Sequence, residues 1–153
     1  MAGVELTERE WAIRAWVYAH FVEHAVPPSA DQIAAEFGLS GEEARRVLRR
    51  LHAAHMLLLT PGTDDIRMAN PFSAVPTPFR VETNGRSYYA NCAWDALGIP
   101  AMLGGDALIH ARLEVVDETV QIPVTGGAPR PDREYLIHFT VPFRHWYDDQ
   151  IFT

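Results

Sequence analysis

Apolar positions in the first third of the chain recur at helical spacing, and each periodic segment opens on the same device. Thr7-x-x-Glu10, Ser29-x-x-Gln32 and Ser40-x-x-Glu43 each set a hydroxyl three residues ahead of a Glu or Gln. In that pattern the two side chains satisfy each other's otherwise unpaired backbone N–H groups, so three helix starts are predicted. The third segment is the clearest: Ala44, Val47, Leu48 and Leu51 share one face, and Arg45, Arg46, Arg49 and Arg50 surround the other. The period then changes. Met56 to Leu59 reads as a short strand, Pro61-Gly62-Thr63-Asp64-Asp65 as a turn, and Ile66 to Met68 as the return strand.

Prolines cluster between Pro71 and Pro78, and beyond them the alternation is that of strands. Phe79 to Thr83, the turn Asn84-Gly85 and Arg86 to Tyr89 predict a hairpin that delivers the chain to a short helix. Gly98 and Pro100 are expected to close that helix, and Gly104-Gly105 marks a bend. Leu108 to Val116, Thr119 to Val124 and Glu134 to Val141 read as further strands, parted by Asp117-Glu118 and by a Gly/Pro loop from Gly126 to Pro131. The expected class is α+β. A helical, winged-helix-like part (1–70) and a linker (71–78) would precede a small mixed or antiparallel sheet with one short helix (79–153).

Composition narrows the function. A chain of 153 residues with 48% hydrophobic positions can bury a core. Its 13 basic against 20 acidic residues, net −7, argue against a protein that coats nucleic acid. No run is long enough to span a bilayer, and the N-terminus lacks a basic stretch followed by an apolar one. With one cysteine no internal disulfide is possible, so a reducing cytoplasm is the expected compartment, with no membrane partner.

That cysteine, Cys92, carries the candidate chemistry, with Asp95 three residues on. If Asn91 caps the helix, Cys92 takes the first helical position, where free N–H groups and the helix dipole favour a thiolate. Asp95 opposes this, because neighbouring anions resist joint ionisation, so the pair is expected to share a proton. Such a pair suits soft-metal binding and proton delivery. The plain alternative is a buried structural cysteine beside a solvated aspartate.

The surrounding run is more specific than Cys-x-x-Asp. Tyr89, Ala90, Cys92, Ala93, Asp95 and Leu97, followed by Pro100, Ala101 and Gly104, meet every fixed position of the motif Tyr-Ala-x-Cys-Ala-x-Asp-x-Leu…Pro-Ala-x-x-Gly. The segment resembles the active-site segment of the organomercurial (alkylmercury) lyases. The resemblance implies that Cys92 takes mercury as a thiolate and that Asp95 helps protonate the carbon, which makes Cys92 and Asp95 the expected metal ligands. Hg(II) would be product rather than cofactor. Small thiols or a mercury-accepting protein would be partners. Those lyases use a second cysteine roughly sixty residues on, which here falls at about position 152 to 155. The tail from Phe143 is aromatic and ends at Thr153 on Ile-Phe-Thr, which looks like a strand broken off. A truncation or a selenocysteine codon read as a stop are the two expectations for the missing ligand.

Rival readings come from the same residues. Three helices and a hairpin outline a winged helix-turn-helix, and the helix from Ser40 to His55 would be its recognition helix in a metal-responsive regulator. Against this, Asp64 and Asp65 sit at the wing tip, and Glu42 and Glu43 interleave the arginines. His20 with His24 and His52 with His55 have zinc-compatible spacing but no third ligand in sequence. Tyr88, Tyr89, Trp94, Trp146 and Tyr147 are core residues or aromatic walls for an organic group. The expected function is therefore C–Hg protonolysis to a hydrocarbon and Hg(II). A non-catalytic heavy-metal binder and a DNA-binding regulator are the alternatives.

Overall fold

A computed structural model describes residues 5–113, 116–139 and 141–148. All three predicted capping boxes form. They open α1 (Glu8–His24), α2 (Ala30–Phe37) and α3 (Gly41–Ala53), with Thr7, Ser29 and Ser40 as the caps. Ala44, Leu48 and Leu51 bury the apolar face of α3. A hairpin of β1 (Leu58–Leu59) and β2 (Ile66–Ala69) follows.

The remaining strands are β3 (Phe72–Ser73), β4 (Phe79–Thr83), β5 (Arg86–Ala90), β6 (Ala107–Leu113), β7 (Glu118–Thr125) and β8 (Ala128–Pro129), with α4 (Ala93–Leu103) between β5 and β6. They join the hairpin in one sheet of order β1-β2-β3-β5-β4-β6-β7-β8, every neighbour antiparallel. The class is α+β, and the sheet is antiparallel rather than mixed.

Residues 71–78 are not a linker. Phe72 and Ser73 pair with β2 on one side and β5 on the other, and the Thr77 hydroxyl donates to the Ala90 carbonyl at 2.6 Å. The prolines end strands here without separating two bodies. One hydrophobic cluster runs through both halves of the chain, from Ile13, Val17 and Phe21 of α1 to Val81, Tyr88 and Ile109 of the sheet. Phe72 is its joint, stacked on Phe21 (5.4 Å, 12°) and tilted against Tyr88 (5.3 Å). Helix α1 is also tied to β5 by polar bonds, the Tyr88 hydroxyl donating to Val22 O at 2.7 Å and Arg86 Nε to Glu23 O at 2.6 Å. Phe72→Ala is expected to cost roughly 3–5 kcal/mol, the scale for emptying a packed aromatic site. Both halves should unfold in one transition, with far-UV circular dichroism and tryptophan fluorescence giving the same midpoint. Two separated transitions in the unmutated protein would contradict a shared core.

Two further expectations are corrected. The strand expected over Glu134 to Val141 is absent from 134–139, while Thr140 lies outside the described residues. Pro129 and Pro131 supply no N–H to extend the edge at β8, and Asp132, Arg133 and Tyr135 bond to one another instead. In the tail a 3-10 turn forms at Phe143–His145 and a turn over 146–148, while the Ile-Phe-Thr end expected as a broken-off strand lies, with the rest of 149–153, outside the described residues. Gly98 and Pro100 are inside α4, which runs on to Leu103. Gly98 is there for clearance, since a Cβ on it would stand 3.3 Å from Pro71 Cβ.

Candidate active site at the start of helix 4

Strand β5 buries Tyr88 and Ala90 and releases the chain into α4 within two residues, so whatever starts the helix is held by the sheet. The cap is Cys92 and not Asn91. Cys92 has extended backbone (φ −149°, ψ 179°), and its Sγ accepts the Asp95 N–H at 3.5 Å, in the position a serine hydroxyl usually takes. Asn91 is occupied elsewhere: its Nδ2 donates to Asn70 Oδ1 at 2.9 Å.

The two sequence-identified residues are brought together. The Cys92 thiol donates to Asp95 Oδ2 across 3.5 Å, and both residues are half-buried. Burial pushes the Cys92 thiol above its ordinary value. The Asp95 N–H works against that shift and the Asp95 charge adds to it. Burial also raises the Asp95 carboxyl, against the pull of hydrogen bonds from Asn91 and Cys92. Desolvation thus outweighs the helix-start effect expected to favour a thiolate. The resting pair holds its protons to higher pH than either group would in water, a state suited to proton delivery.

The sign of the Cys92 shift sets a pH profile. Thiolate is the reactive form, so alkylation by iodoacetamide should climb about tenfold per pH unit through neutrality. It should still be rising at the ordinary thiol value of 9.0. A plateau below about pH 8 would mean an activated thiolate and would contradict the burial argument.

Around the pair, Trp94 is 59% exposed and meets Phe139 edge-on at 6.3 Å, and Phe139 stacks on Trp146 at 5.3 Å. This aromatic group begins two residues from the thiol. No local spacing signals Phe139, because only the fold brings that segment to α4. Tyr88 is core, Tyr89 is exposed, and Tyr147 stacks on His55 at 4.0 Å, both lining a cleft of about 510 Å3 with Arg49, His52 and Asp64 among others. That cleft contains neither Cys92 nor Asp95. His20 Nδ1 lies 3.0 Å from Val26 O and His52 Nδ1 accepts from Leu59 N, and among the described residues no third donor joins either histidine pair.

Three arginines of α3 are paired within the helical part. Arg45 pairs with Asp31 (3.3 Å), Arg49 with Glu42 (3.0 Å) and with Asp64 of the β1–β2 turn (3.1 Å), and Arg50 with the buried Glu10.

Comparison with known proteins adds the family. Residues 72–153 match the family model described as MerB, alkylmercury lyase. An alkylmercury lyase of Staphylococcus epidermidis is 29% identical over 129 residues, covering 84% of this chain and 54% of that protein. A solved structure described as the mercury-bound form of MerB2 shares the fold, with a TM-score of 0.66 at 20% identity over 82% of this chain and 60% of that one. The chain therefore spans between about half and three-fifths of the length of these relatives.

Proposed function

The chain belongs to the alkylmercury lyase family, and on that premise we propose that it cleaves R–Hg–X by protonolysis to R–H and Hg(II). Cys92 is the mercury-binding nucleophile, and Asp95 is second ligand and proton donor or relay. The observation that carries the reading is the 3.5 Å contact between Cys92 Sγ and a protonation-prone Asp95 at a rigid strand-to-helix junction. In the first step Cys92 S–H exchanges with R–Hg–X, forming S–Hg–R and releasing H–X. An external thiol R′SH then adds a second sulfur to mercury. Asp95 passes its proton to carbon, the C–Hg electron pair becomes the new C–H bond, and R′SH returns the proton to Asp95. Mercury stays Hg(II) throughout, held between Cys92 and the thiolate, and further thiol or a mercury-accepting protein removes it. No cofactor takes part.

The aromatic group of Trp94, Phe139 and Trp146 would shelter the organic substituent. The helical, winged-helix-like part is read as structural, in a cytoplasmic protein that engages neither membrane nor nucleic acid. Three of the four α3 arginines are neutralised by carboxylates, one on the turn a DNA-binding wing would use, which argues against phosphate contacts. Phenylmercury with excess small thiol should yield benzene. Stable 1:1 mercury binding without hydrocarbon would instead mark a heavy-metal binder, and a salt-sensitive gel shift with promoter DNA would mark a regulator.

A further inference from the structure

We propose that Tyr18, Asn70 and Asn91 are positioning residues, forming one hydrogen-bonded chain through which helix α1 sets the orientation of the Cys92–Asp95 pair. The Tyr18 hydroxyl donates to Asn70 O at 3.0 Å, Asn91 Nδ2 donates to Asn70 Oδ1 at 2.9 Å, and Asn91 N approaches Pro71 O at 3.4 Å. Asn70 thus receives one donor from the helical part and one from the residue immediately before the cysteine.

The first member of this chain is itself held. Arg14 Nη2 reaches the Tyr18 hydroxyl at 3.4 Å, with Cζ 4.6 Å from the Tyr18 ring centroid, and α1 is anchored to the sheet through Phe21, Phe72 and Tyr88. From the other side Gly98 of α4 presses against Pro71, so the Asn70–Pro71 segment is clamped between α1 and α4. The Asn91 Oδ1 atom is buried and has no partner among the described residues. An amide left with an unsatisfied carbonyl is held by its nitrogen, so its acceptors, Asn70 Oδ1 and the Asp95 carboxyl, set which way Asn91 faces. Asn91 in turn fixes the entry into the cap at Cys92, and its amide also acts on the Asp95 carboxyl. The helical part then has a task beyond packing, which depends on the lyase reading only for what the orientation serves.

A double-mutant cycle on the full chain tests this, read as the rate of Cys92 alkylation at fixed pH. Asn91→Ala loosens the thiol from Asp95 and should speed alkylation about threefold, the scale of one neutral hydrogen bond. Tyr18→Phe keeps the ring and should shift the rate in the same direction by a smaller factor. If the three residues act as one chain, the double variant matches Asn91→Ala alone, because the Tyr18 bond has nothing left to transmit. Factors that multiply, or a Tyr18→Phe rate equal to wild type, would overturn the inference. Should Asn91→Ala fail to fold, Asn91→Ser, too short to reach Asn70, serves in the same cycle. In the thiol-supplemented protonolysis assay Asn91→Ala should slow benzene release about tenfold with KM little changed. Wild-type protein releasing no benzene would remove the lyase reading while leaving the alkylation cycle to decide the positioning chain.

Discussion

Cys92→Ser should eliminate binding of one equivalent of methylmercury or Hg(II) while leaving the protein as stable as before. The substitution is clean because of where the cysteine sits. As the cap of α4, Cys92 accepts the Asp95 N–H through sulfur, and serine is among the side chains best suited to that position. The hydroxyl therefore replaces the structural role of the sulfur and none of its affinity for a soft metal. Native mass spectrometry should show a 1:1 mercury adduct for wild type and none for the variant, with unchanged thermal midpoints. Mercury retained by Cys92→Ser would mean that the metal binds elsewhere, and the functional reading would fall with it.

The second large effect concerns ligand number. Cys92 is the one cysteine in the 153 residues, and no cluster of three or more His, Cys, Asp or Glu side chains suited to a metal forms among the described residues. One sulfur can carry R–Hg, but cleavage gains from a second sulfur that weakens the C–Hg bond as Asp95 brings the proton. Without added thiol, turnover should be slow. An excess of a dithiol should raise hydrocarbon release by roughly 10²-fold, the scale of restoring an essential member of a catalytic set. A monothiol should do so less effectively, since its second contact is not intramolecular. A rate indifferent to thiol would contradict this division of labour and would require the protein to supply the further ligand.

Features carried by short-range spacing were legible in the sequence. The three capping boxes need only a hydroxyl and a Glu or Gln three residues apart, and all three formed. The Asn84-Gly85 hairpin and the Cys92–Asp95 contact are equally local. What escaped depends on tertiary partners. Residues 71–78 read as a linker because three of the eight are proline, yet Phe72 is fully buried by residues from α1 and β5. Glu134 to Val141 has the alternation of a strand but found no paired edge over its described residues. Asn91 looked like the better cap, and Asn70, twenty-one positions away, claimed its side chain. The helix-start pull toward a thiolate is likewise local, and burial of Cys92, which only the folded chain supplies, outweighs it.

The central claim is that Asp95 delivers a proton to a carbon held on mercury by Cys92. Its most direct test is a single turnover of phenylmercury-loaded protein in D2O with excess thiol, comparing wild type with Asp95→Ala and following benzene by gas chromatography and mass spectrometry. Wild type is predicted to release monodeuterated benzene well above the protein-free background, and Asp95→Ala to keep phenylmercury bound while releasing benzene only at that background rate. Equal release from the two proteins would contradict the claim.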